Sequence, residues 1–153
     1  MASTTFSGPV TSDNGFIGAL TGNVTGNIAG TGKITHATTA AINATATATV
    51  AEVATGYITS TSAAGTTITL PTGTLLGTEL GATQGTVFDL YIDNTAGAST
   101  VTIAVNTNAI LSTAAADTAG SFGDLTVAAG ATGLARYTLM FSSSTAYAFT
   151  RTA

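Results

Sequence analysis

A chain of 153 residues has room for one domain and an extension, and only 7% of this one is charged, against about 25% in ordinary globular proteins. Its formal net charge is −4 and its cations are Lys33, Arg136 and Arg151, with no cluster able to release counterions from a phosphate backbone, so nucleic acid is not an expected partner. No run approaches about 18 apolar residues and no basic amphipathic helix appears, so no membrane role is expected, and the absence of cysteine removes disulfides and thiolate metal sites.

In place of Lys and Glu the chain carries 35 Thr and 29 Ala, and a surface of that kind stays soluble through hydroxyls and amides. Hydrophobic content is an ordinary 44%, which does not fit disorder driven by high charge and low hydropathy. The opening residues, Met1 to Phe6, have neither a positive n-region nor an apolar h-region, so no secretory signal is expected.

Residues 1–15 read as an arm. Phe6, Pro9 and Val10 are isolated apolar points in a polar stretch, and Ser12-Asp13-Asn14-Gly15 is a turn signal. Three apolar residues make no core; if the arm docks on a partner, Phe6 and Val10 are its anchors.

Residues 16–55 form an extended repeat and a low-complexity connector. From Phe16 to Thr31 the chain repeats an apolar residue, any residue, glycine and a small polar residue. Phe16, Leu20, Val24 and Ile28 hold the first position, and Gly18, Gly22, Gly26 and Gly30 the third. In an extended chain these even-numbered residues share one face, whereas a helix would suffer a glycine in every turn. Four apolar side chains repay too little of the entropy of ordering such a segment, so it needs other chains to bury that face. The expectation is an oligomeric β stalk or arm, most simply trimeric, with Phe16, Leu20, Val24 and Ile28 as the buried side. The regular apolar register argues against a floppy linker. Between Ala37 and Ala54 the Thr/Ala alternation suits an extended connector, with a short helix near Val50–Ala54.

Residues 56–153 change to short alternating runs divided by turns. Strands are expected at Tyr57–Ser60, Thr67–Leu70, Thr86–Ile92, Thr100–Val105, Ile110–Leu111 and Leu125–Val127, followed by a closing hairpin of Leu134–Phe141 and Thr145–Arg151. The glycines of Thr74–Thr83 allow one helical turn and nothing long. This pattern predicts an all-β fold, an antiparallel β-sandwich of jelly-roll type, preceded by the extended N-terminal arm with its tetrad-repeat strand segment.

Catalytic chemistry finds no support. The sole histidine, His36, sits among threonines and alanines with no spacing that suggests a triad. Asp89 and Asp93 share a strand face about 13 Å apart, too far to hold one metal unaided, and Asp93-Asn94 reads as turn chemistry. The glycine-rich segment lacks phosphate-loop spacing. Asn23-Val24-Thr25 and Asn43-Ala44-Thr45 match the glycosylation sequon by chance in a Thr-rich chain. Arg136 and Arg151 fall on the two strands of the final hairpin and are expected to pair with Asp89 or Asp124 or to face an oligomer interface. No enzyme activity, cofactor or metal is expected.

Two stretches carry a resemblance. Ser7–Asn27, SGPVTSDNGFIGALTGNVTGN, resembles the N-terminal region of small virion proteins of tailed bacteriophages. Gly85–Gly97, GTVFDLYIDNTAG, together with Ala135–Ala153, ARYTLMFSSSTAYAFTRTA, is similar to the β domain of their capsid decoration, or cement, proteins. The resemblance implies a homotrimer on the outer surface of the virion capsid, bound to the major capsid protein and stabilising the shell against genome pressure, with no catalytic residues. A fibre or spike tip binding a host surface carbohydrate is the alternative, with Tyr57, Tyr91, Tyr137 and Tyr147 as candidates for stacking on sugar.

Overall fold

The computed structural model describes residues 38–111 and 125–152. All of them fall within one unit, Thr35–Ala153. The arm, the tetrad repeat and the loop around Asp117 and Asp124 lie outside the described residues, as do His36 and Lys33.

The chain crosses between two sheets again and again. Strand β1 (Ala40–Ala41) leads to β2 (Ala46–Thr47), β3 (Tyr57–Thr59) to β4 (Thr66–Thr69), and β5 (Val87–Asp93) to β6 (Val101–Ala104). The first member of each pair joins one sheet and the second joins the other, so the crossings stack as successive coils. Because each coil repeats the same direction, β1, β3 and β5 are parallel, with Ala40 opposite Ile58 and Ile58 opposite Ile92. Likewise β2, β4 and β6 are parallel, with Ala46 opposite Ile68 and Ile68 opposite Ile103.

The remaining strands close this stack. Strand β7 (Ala109–Leu111) returns to the first sheet, β8 (Thr126–Val127) pairs antiparallel with β6, and β9 (Leu134–Ser143) pairs antiparallel with β5. Strand β10 (Ala146–Arg151) turns back on β9 and lies parallel to β7. The larger sheet runs β1-β3-β5-β9-β10-β7 and the smaller β2-β4-β6-β8. The fold is predominantly β, as expected, and the strands lie where the alternation placed them. The antiparallel pairing expected for them is corrected: the sheets are mixed. Alternation reports which residues face the core, and it reads the same for either direction of pairing.

Two short helices fill the returns from the smaller sheet to the larger. Helix α1 (Val50–Ala54) opens with a capping box. Glu52 N donates to Thr49 Oγ1 at 3.2 Å, and the Glu52 carboxylate accepts from Thr49 N at 2.7 Å, which satisfies two donors that the first turn leaves orphaned. Helix α2 (Gly73–Glu79) follows Pro71 and is capped by Thr72, whose hydroxyl accepts from Leu75 N at 3.3 Å. The two helices pack against each other.

Helix α2 is longer than the single turn expected, because its glycines serve packing. Gly73 and Gly77, four residues apart on one face, lie against the β9–β10 turn. A Cβ on Gly77 would collide with the Ser144 carbonyl oxygen and come within 2.9 Å of its carbon, and one on Gly73 would collide with the Thr145 carbonyl. These are backbone atoms that cannot swing aside.

The core lies between the sheets and takes side chains from both. Ile58, Leu90, Ile92 and Leu139 of the larger sheet meet Ile68 and Ile103 of the smaller in one buried cluster. Residues of the connector take part: Ile42, Ala48 and Val53 are buried in the same cluster.

Gly77→Ala is expected to destabilise the domain by about 3 kcal/mol, the upper end of what overpacking costs. Thr74→Ala, at an exposed position of the same helix, should stay within about 0.5 kcal/mol. Urea denaturation of the two variants checks the difference; equal midpoints would remove the close-packing role from Gly77.

Candidate functional surface

Residues of one parity along β3, β5, β9 and β10 face away from the core and compose one surface. Tyr57 lies opposite Tyr91, Tyr91 opposite Arg136, and Asp89 opposite Thr138. Further along, Val87 lies opposite Met140, and Met140 opposite Ala148. Val87 and Met140 are 53% and 54% exposed, an apolar pair beside a polar and aromatic field.

The polar side chains of this surface hold one another. The Tyr57 hydroxyl donates to Asp93 Oδ2 at 2.7 Å, while Asp93 Oδ1 accepts from the Thr95 hydroxyl at 2.6 Å and from Thr95 N at 2.9 Å. Those donors hold the Asp93 carboxyl below its ordinary value of 3.8, with the Thr95 hydroxyl first and Tyr57 second. The same bond, with burial and the nearby carboxylate charge, pushes the Tyr57 phenol up. The rings of Tyr57 and Tyr91 are stacked, with centroids 6.3 Å apart and planes at 26°. Beside them the Thr138 hydroxyl donates to Asp89 Oδ1 at 2.6 Å, and Arg136 Nε donates to Thr152 Oγ1 at 2.9 Å.

An Arg136–Asp89 pair, one of the expected arrangements, does not form, and Asp124, the other expected partner, lies outside the described residues. Arg136 spends its Nε on a threonine hydroxyl, and Asp89 takes a threonine rather than a cation. Arg151 has the inward parity of Tyr147 and Phe149 and reaches across to the smaller sheet, where Nη1 donates to the Thr126 carbonyl at 2.8 Å.

Of the four tyrosines offered for stacking on a sugar, two are removed by burial. Tyr137 and Tyr147 are 1% and 0% exposed in the core. The hydroxyl of Tyr147 donates to the Pro71 carbonyl at 3.0 Å, and burial pushes that phenol up. Tyr57 and Tyr91 remain half-buried on the outer surface, side by side. The six expected interface residues, Phe6, Val10, Phe16, Leu20, Val24 and Ile28, lie outside the described residues.

Sequence reasoning missed Asn94. Read as a turn former, it is fully buried and binds three segments together. Its Nδ2 donates to the carbonyls of Ser99, Val127 and Ala128 at 2.9, 3.1 and 3.0 Å. Its backbone N donates to Gly133 O at 2.6 Å, and its carbonyl accepts from Gly97 N at 3.0 Å. An Asp-Asn-x-x-Gly turn after an alternating strand is the available signal, and the parity of Leu90 and Ile92 turns Asn94 inward, but nothing local marks the distant carbonyls it would bind. No family model, no curated protein and no solved structure matches the chain.

The Asp93 bonds make an acid-side prediction. A carboxyl held below its unfolded value adds stability above that value and loses it as the pH falls through its folded one. The wild type should therefore melt above Asp93→Asn at neutral pH, with the gap closing below about pH 3.8, the ordinary aspartate value. Melting temperatures of both proteins between neutral and acid pH check this; a gap independent of pH would show the bonds do not depend on the charge.

Proposed function

We propose that this chain is a structural virion protein that decorates and stabilises the outer surface of a tailed-phage capsid as a trimer. Its partners are the major capsid protein and its sister chains. The organisation proposed is an extended N-terminal arm followed by a two-sheet β domain, with Phe6, Val10, Phe16, Leu20, Val24 and Ile28 on the contact side of the arm.

One observation carries this reading. The two stretches that resemble the β domain of that family, Gly85–Gly97 and Ala135–Ala153, are far apart in sequence, yet they contain β5, β9 and β10, which lie side by side in the larger sheet. That pairing of β5 with β9 supports taking the two stretches as parts of one structural unit. The physical role fits the composition as well. An extended arm that adds strands to neighbouring subunits binds through backbone hydrogen bonds and needs little charge. Weak contacts of one protomer gain strength when three act together.

Cryo-electron microscopy of virions is expected to place density at capsid threefold or quasi-threefold axes, and deletion of residues 1–31 to abolish capsid binding while circular dichroism still reports a folded β domain. Density at the tail alone would overturn the decoration role. Binding that survives the deletion would move the docking function from the arm to the β domain.

A second reading, a fibre or spike tip that binds a surface carbohydrate, has one observation in its favour. Tyr57 and Tyr91 present neighbouring aromatic rings on the outer surface, bordered by Asp89, Asp93 and Arg136, the mixture of apolar faces and hydrogen-bonding groups that suits a sugar. On this reading a glycan microarray gives defined hits that Tyr91→Ala loses at least tenfold in affinity. An array without hits would dispose of it.

A further inference from the structure

Among the described residues, two side chains keep a buried polar atom with no protein partner: Ser60 through Oγ and Asn94 through Oδ1. They are neighbours. Ser60 N donates to Asp93 O at 2.8 Å, and the register Thr59 opposite Asp93 sets Ser60 beside Asn94 on the next strand. Both face the interior, at 1% and 0% exposure, in line with Ile58 and Ile92.

The orientation of the Asn94 amide is dictated by its surroundings. Nδ2 lies within 3.1 Å of three carbonyl oxygens, so turning the group over would press Oδ1 against all three. Oδ1 therefore stays an acceptor on the opposite side, next to Gly97, where any Cβ would collide with it. The Gly97 amide cannot serve it, because that N–H donates to the Asn94 carbonyl at 3.0 Å. A buried acceptor and a buried hydroxyl thus stand on neighbouring residues of paired strands without partners, an arrangement that is costly unless something joins them.

The two residues stand one strand spacing apart, about 4.8 Å, and their side-chain oxygens make no direct bond to each other; two O···O bonds of about 2.8 Å through one bridging molecule span a gap of that order. We propose that this corner is a binding site for one internal water molecule, which accepts from the Ser60 hydroxyl and donates to Asn94 Oδ1. Two polar partners are the minimum at which buried water is held. The water extends the Asn94 clasp, already joined to the ends of β6 and β8, to the coil formed by β3. Ser60 is then a positioning residue whose hydroxyl holds the water, and an apolar residue there would leave Asn94 Oδ1 bare.

Water ¹⁷O magnetic relaxation dispersion on the full-length protein tests the site. The wild type is expected to hold one more long-lived water than Ser60→Ala, while Thr61→Ala, at the exposed neighbouring position, keeps the wild-type count. Equal counts in wild type and Ser60→Ala overturn the proposal. Should Ser60→Ala fail to fold, a high-resolution crystal structure of the wild type decides. A density peak within hydrogen-bond distance of both Ser60 Oγ and Asn94 Oδ1 supports the site; a direct bond between those two atoms, with no such peak, overturns it.

Discussion

The constraint on which the rest depends is the inward face of the β9–β10 hairpin. Phe141 lies opposite Tyr147 and Leu139 opposite Phe149, so the hairpin's core side is an aromatic seam. The rings of Phe141 and Tyr147 stand 5.4 Å apart and those of Tyr137 and Phe149 5.9 Å, in tilted contacts. The seam also binds what lies beyond the sheet. Tyr147 donates its hydroxyl to Pro71 at the entrance to α2, and the tight turn beyond Phe141 receives the glycine face of that helix. Remove the seam, and the larger sheet loses both its inner layer and its hold on the returns between coils.

With the hairpin as a lid, the stacked coils become intelligible. A coil of parallel strands gives each rung two neighbours and leaves an end rung with an unpaired edge. Here the C-terminal end of the stack is closed by strands running the other way, β9 beside β5 and β8 beside β6. Asn94 stands where the last coil passes from one sheet to the other, and its amide ties that passage to the end of β8. An asparagine suits the position because one small side chain offers donors to several carbonyls that would otherwise be buried without partners.

How much of this was legible follows from what each signal encodes. The alternation of Leu90 and Ile92 against Val87 and Asp89 reports burial, and the strands stand where it placed them. The residues between β3 and β4 read simply as a turn, and nothing in them says that the next strand enters a different sheet. The pairing direction was lost there. The glycines of α2 read as helix breakers because propensity speaks of an isolated helix, whereas in the fold they are where a turn of backbone comes close. Burial of Tyr137 and Tyr147 was implied by their parity with Leu139 and Phe149, although as tyrosines they looked like surface candidates. Asn94 was hidden more deeply, since its partners at Val127 and Ala128 are distant in sequence.

The scarcity of charge has a structural counterpart on the outer surface. Asp93 is bound by Thr95 and Tyr57, Asp89 by Thr138, and Arg136 by Thr152, so ionised groups are held by hydroxyls rather than by opposite charges. Ion pairs on a surface weaken with salt, and hydrogen bonds from neutral donors depend on it less. A surface organised in that way keeps its arrangement across ionic conditions and presents few charges that must be matched when it meets a partner. The threonines that make the composition unusual are thus the means by which the few carboxylates of this sheet are kept in place.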